Sequence, residues 1–90
     1  MENKKILYFG ASWCGPCQQM KPALSRLEEQ FHGKLEIVHI DVDKNPEYCQ
    51  ENSITSVPTL LFVENNITVN SLKGFQSEAN LKKKFNEFIN

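Results

Sequence analysis

The stretch Ile6-Leu7-Tyr8-Phe9-Gly10-Ala11-Ser12-Trp13-Cys14-Gly15-Pro16-Cys17 opens in one structural period and closes in another. Its first four residues are an apolar run of β-formers, which reads as a strand buried on both faces. Gly10-Ala11-Ser12 breaks the run. From Trp13 to Phe31 the rhythm changes: Cys17, Met20, Leu24, Leu27 and Phe31 recur at steps of three and four, the mark of one helical face. Two cysteines therefore stand where a strand gives way to a helix, with two residues between them. In a helical turn that spacing brings the sulfurs close enough to bond.

Outward from this junction the remaining elements follow. Pro22 lies inside the first helix, where a missing donor and a steric clash predict a kink. His32-Gly33 ends that helix, with Gly33 suited to a left-handed cap. Leu35 to Val42 reads as a second strand. Asn45 as N-cap and Pro46 at the first helical position start a short helix through about Glu51. Thr59 to Val63 is a third strand, Asn65-Asn66 a tight hairpin turn, and Ile67 to Leu72 the returning strand. Ser77 caps a last helix that carries Leu81, Phe85, Phe88 and Ile89 inward. The order is β-α-β-α-β-β-α. A helix joins the first two strands, so they run parallel with a right-handed crossover, and the last two form a hairpin. This predicts an α/β fold: one four-stranded mixed sheet with helices on both faces.

With 90 residues the chain makes a single domain, 1–90, and one hydrophobic core. Ten Lys plus Arg against eleven Asp plus Glu leave a net charge of −1, which speaks against phosphate-backbone binding and against anionic membranes. No nucleic-acid or membrane partner is expected, and Lys82-Lys83-Lys84 reads as a solvated helix face. The N-terminal Met1-Glu2-Asn3-Lys4-Lys5 meets an apolar run of only four residues. A secretory signal needs about 7 to 15, and no stretch approaches the roughly 18 of a membrane span. The expected location is the cytoplasm. A close cysteine pair in a reducing compartment is catalytic or metal-binding. Zinc needs four N or S ligands. The further candidates, Cys49, His32 and His39, match no finger spacing, so no metal is expected. Cys49 reads as a small buried hydrophobe.

The chemistry follows from position. Cys14 belongs at the helix N-terminus, where unpaired N–H groups and the helix dipole favour a thiolate. Intrinsic nucleophilicity falls as the pKa falls, with a slope of about 0.45, so acidity alone gives a modest gain in attack rate. Positioning of the target disulfide supplies most of the rest. Cys17 shares the apolar face with Met20 and Leu24, which makes it the buried resolving thiol. It attacks the mixed disulfide on Cys14 and releases the reduced target. Pro16 stiffens the loop and removes one N–H donor, leaving the thiolate less stabilised and favouring a reductant over a strong oxidant.

Trp13-Cys14-Gly15-Pro16-Cys17 resembles the active-site pentapeptide of the thioredoxin family. Ser56-Val57-Pro58-Thr59 resembles the cis-proline turn that faces that site, and Gly74 in Lys73-Gly74-Phe75 is a third match. The likeness runs from Ile6 to the C-terminus. It implies a thioredoxin-like fold and a thiol–disulfide oxidoreductase, an electron carrier that reduces protein disulfides through a Cys14–Cys17 pair. It also implies a cis Pro58 beside the cysteines, a Val57 backbone that pairs with an extended target segment, and a docking surface of Trp13, Val57, Pro58 and Gly74. Gly15 and Pro16 tune the loop. The implied partners are disulfide-containing proteins and a flavin-dependent, NADPH-linked thioredoxin reductase. The chain lacks a Gly-rich dinucleotide motif, so no bound cofactor is expected; a monomer is.

Two departures stand out. Thioredoxins usually begin with an additional strand and helix, so this chain resembles the minimal core shared with glutaredoxins. The family also tends to bury an Asp before the motif, accompanied by a Lys. Here those positions are Tyr8 and His39, so Cys17 loses its proton to water or through a Tyr8–His39 relay. Two alternative functions fit the same residues. One is a glutathione-linked, glutaredoxin-like reductase. The other is a non-redox binding subunit that uses the docking surface alone.

Overall fold

The apolar run that begins at Ile6 is the centre of the sheet. In the computed structural model, which describes residues 3–90, it forms β1, Lys4–Gly10. This strand pairs parallel with β2, Glu36–Asp41, and antiparallel with β3, Thr59–Glu64. Having a neighbour on each side and helices above and below, it has no polar face to present. That is why Ile6 through Phe9 are uninterrupted by charge and all buried. β4, Ile67–Lys73, pairs antiparallel with β3 at the sheet's edge, and the strand order is β2-β1-β3-β4. The hairpin turn between β3 and β4 places Asn65 at φ 53° and Asn66 at φ 69°, left-handed values that Asn tolerates. The expected order of elements, the parallel and antiparallel pairings and the mixed sheet are all present.

Side chains alternate across the sheet and build two apolar layers. Ile6, Tyr8, Ile37, Leu60 and Phe62 face α1, Gly15–Gln30, and α3, Glu78–Ile89, in a cluster with Cys17, Met20, Leu24, Leu27, Leu81 and Phe85. Leu7, Phe9, Ile40, Leu61 and Val63 face the other way, toward Cys49 of α2, Pro46–Glu51. Helices thus cover both faces.

Local capping differs from the sequence reading in two places. α1 ends at Gln30 with Phe31 as its cap, whose N–H bonds back to Leu27. Gly33, at φ 85°, serves the turn that follows instead. At the start of α2, Asn45 stands at the N-cap but makes no capping bond. Its Nδ2 donates to the Asp41 carbonyl at 2.9 Å, tying the loop back to β2 instead. Ser77 caps α3 as expected, its hydroxyl accepting from the Asn80 N–H at 3.1 Å. α1 runs through Pro22 as one element.

Candidate functional site

Cys14 is the N-cap of α1, with extended backbone angles, and Cys17 lies in the first turn. The two form a disulfide with Cα atoms 5.2 Å apart. The Cys17 N–H donates to Cys14 Sγ at 3.2 Å. One of the helix's unpaired terminal donors is therefore aimed at the sulfur that would carry the charge. Cys17 is fully buried and Cys14 is 6% exposed. Gly15 and Pro16 are exposed, and a Cβ at Gly15 would meet nothing within 4 Å.

Trp13 is 68% exposed, and its Nε1 donates to Asp43 Oδ2 at 2.8 Å. The bond fixes a large apolar ring next to Cys14 without burying it. Across from the helix start, the Val57–Pro58 peptide bond is cis. Pro58 is buried, and Val57 packs against the cluster that contains both cysteines. The Pro58 carbonyl accepts from the Gly74 N–H at 2.8 Å, and Gly74 takes φ 85°, so the turn after β4 is tied to the proline turn. Phe75, next in sequence, is 54% exposed.

Behind Cys17 opens a groove of about 420 Å³ lined by Tyr8, Cys17, Lys21, His39 and Asp41, with Gly10, Ala11 and Ser12 forming its small-residue wall. The Tyr8 hydroxyl donates to the Cys17 carbonyl at 2.9 Å. Tyr8 meets His39 edge to face, ring centroids 5.9 Å apart. His39 Nε2 lies 3.0 Å from Glu28 Oε1. Burial pushes the Tyr8 phenol pKa up, so it stays neutral. The two positions expected to relay a proton are adjacent, but the Tyr8 hydroxyl is directed at the backbone and His39 at a carboxylate on α1. No cluster of three or more His, Cys, Asp or Glu capable of holding a metal occurs among the described residues. No helix among them is long and apolar enough to cross a membrane.

Asp43, Gln18 and Gly10 join the site without having been singled out in the sequence. Asp43 anchors Trp13, and Gln18 Nε2 donates to the Ala11 carbonyl at 2.9 Å. Both contacts link segments that only the fold brings together, so spacing along the chain carried no signal for them.

The thioredoxin family model matches residues 1–87. The chain belongs to the thioredoxin family. A thioredoxin from Staphylococcus epidermidis is 38% identical over 77 residues, spanning 86% of this chain and 74% of that protein. One from Staphylococcus aureus is 36% identical over the same lengths. The solved structure of a mutant thioredoxin from Halobacterium salinarum NRC-1 superposes with a TM-score of 0.90 at 30% identity, covering 98% of this chain and 76% of that one. With its proximal cysteine pair, this thioredoxin-family chain is a protein thiol–disulfide oxidoreductase.

Proposed function

We propose that the chain works in the reducing direction, as a cytoplasmic carrier of electrons to protein disulfides, with Cys14 attacking and Cys17 resolving. The observation that carries the roles of the two cysteines is the Cys17 N–H held on Cys14 Sγ at the helix start, with Cys17 itself fully covered behind it. In the dithiol form, Cys14 thiolate attacks a target disulfide. A Cys14–target bond forms, and one target sulfur leaves as thiolate. Cys17 then loses its proton to water in the groove, whose rim carries His39 and Asp41, and attacks Cys14 Sγ. The internal disulfide closes and the second target thiolate departs. Two electrons have passed from the cysteine pair to the target.

Pro16 lacks an N–H, so the Cys14 thiolate has one fewer donor, which favours a reductant. The Val57 backbone would receive an extended target segment, with Trp13, Pro58 and Gly74 around it. Recycling of the disulfide is assigned to a thioredoxin reductase drawing on NADPH, the chain itself binding no cofactor and acting as a monomer.

The test is Cys17→Ser. This variant should accumulate a stable mixed disulfide with a reducible protein such as insulin, visible on a non-reducing gel, while Cys14→Ser accumulates none. Failure of the unaltered protein to accelerate insulin reduction by dithiothreitol would overturn the reading. Faster recycling by glutathione than by a thioredoxin reductase would move the assignment to a glutaredoxin-like reductase. His39→Ala with an unchanged pH profile would remove His39 from the proton path.

A further inference from the structure

The resolving step demands that Cys17 Sγ be held where it can reach Cys14 without searching. A helix ordinarily supplies this by an unbroken ladder of hydrogen bonds. Here the ladder loses a rung immediately beyond the site, because Pro22 offers no N–H to the Gln18 carbonyl. The turn that bears both cysteines keeps its own rung, the Gln18 N–H on the Cys14 carbonyl at 3.1 Å, and is also fastened from outside the helix. The Tyr8 hydroxyl, on β1, donates to the Cys17 carbonyl at 2.9 Å in a buried bond, and the Gln18 side chain donates to the Ala11 carbonyl at 2.9 Å.

The Tyr8 ring is itself closely seated. It is 3% exposed. A Cβ built at Gly10 would come within 3.2 Å of the Tyr8 oxygen and 3.3 Å of two ring carbons, so the ring occupies space that a larger residue at position 10 would contest. The His39 ring stands against it edge to face, and the Glu28 carboxylate holds His39. The charged or titratable groups of the adjoining groove are Lys21 of α1 and His39 and Asp41 of β2. Among the described residues, the Tyr8 hydroxyl bonds the Cys17 carbonyl and none of these groups.

We infer that Tyr8 is a positioning residue for the resolving step: its hydroxyl, seated by Gly10 and the His39 ring, fixes the Cys17 peptide so that Cys17 Sγ closes on Cys14 once the mixed disulfide has formed. The inference rests on the roles given above to the two cysteines. Tyr8 exchanges neither proton nor electron. The Cys17 proton goes to water, the Cys17–Cys14 bond forms, the Cys14–target bond breaks and the target leaves as thiolate.

The two steps can be followed separately. Reduced protein is mixed with stoichiometric dithiobis-nitrobenzoate, quenched with acid at intervals and weighed by mass spectrometry. Formation of the mixed disulfide reports Cys14, and its decay to the internal disulfide reports Cys17. Tyr8→Phe keeps the ring and removes the hydroxyl. It should leave formation within about twofold and slow decay about five- to tenfold, the size of one lost neutral hydrogen bond. Gly10→Ala keeps the hydroxyl and crowds the ring, and should slow decay to a smaller extent. Should Tyr8→Phe fail to fold, Gly10→Ala decides. Unchanged decay in either variant, or formation and decay slowed alike, would overturn the inference. Absence of any mixed disulfide in the unaltered protein would overturn the cysteine roles themselves, and this inference with them.

Discussion

Cys14 and Cys49 carry the same thiol into opposite surroundings. Cys14 caps a helix and faces a backbone donor. Cys49 packs among Leu7, Phe9, Ile40, Leu61 and Val63, and burial pushes its thiol pKa up. A protonated, covered thiol is a poor nucleophile and a slow target for oxidants. Cys49→Ser should therefore leave the mixed-disulfide kinetics untouched while costing about 1 to 3 kcal/mol of stability, because it puts a hydroxyl where no partner waits. Urea unfolding would show this as a lower midpoint with an unchanged slope; altered kinetics would mean that Cys49 takes part in the chemistry. The residues of the redox pair were legible in the sequence because their relation is local, three positions apart at a change of period. The partner of Tyr8 was not. Its hydroxyl could equally have been aimed at a His39 ring nitrogen, and only the packing of α1 on β1 directs it to the Cys17 carbonyl.

Among the elements, β1 and α1 were the plainest in the sequence, since a strand buried on both faces and a helix with one buried stripe each impose their own pattern. Helix ends were harder. Ser77 and Asn45 have equal standing as caps by residue type, yet Ser77 bonds its helix while Asn45 spends its amide on Asp41. The competing carbonyl belongs to the end of β2, which no local rule anticipates. α1 and α3 are also joined by charge: Arg26 Nη2 lies 2.6 Å from Glu78 Oε1, and Arg26 Nε donates to both carboxylate oxygens. The hydrogen bond from Arg26, helped by the charges of Arg26 and Lys82 and opposed by desolvation, holds the Glu78 carboxyl below its ordinary range. A carboxylate with a lowered folded pKa adds stability above its unfolded pKa and loses it as pH falls through the folded value. The pair is exposed, so the effect is small. Glu78→Gln should leave the Tm near neutral pH almost unchanged and flatten its decline in acid. An identical acid decline in both proteins would show that the pair contributes nothing to it.

At the scale of the whole molecule, stability concentrates where α3 closes the sheet. Phe85 is fully buried and meets Phe31 and Phe62 edge to face, at centroid distances of 5.6 and 6.0 Å. Phe85→Ala should cost about 3 to 5 kcal/mol. Against a total of about 5 to 15 kcal/mol for a domain, that leaves a protein largely unfolded at moderate urea; a loss below about 1 kcal/mol would mean that the layer collapses around the gap. The same layering has a consequence for the sulfurs. The redox pair lies on one side of the sheet and Cys49 on the other, so the strands act as an insulating wall between two compartments of one small molecule. While the wall stands, the third sulfur takes no part in exchange. Once heat dissolves it, Cys49 regains ordinary acidity and reach, and can invade the bridge of its own chain. Melting the oxidised protein without a reductant should thus leave a lasting trace in swapped bridges, whereas the dithiol form should cool back unmarked.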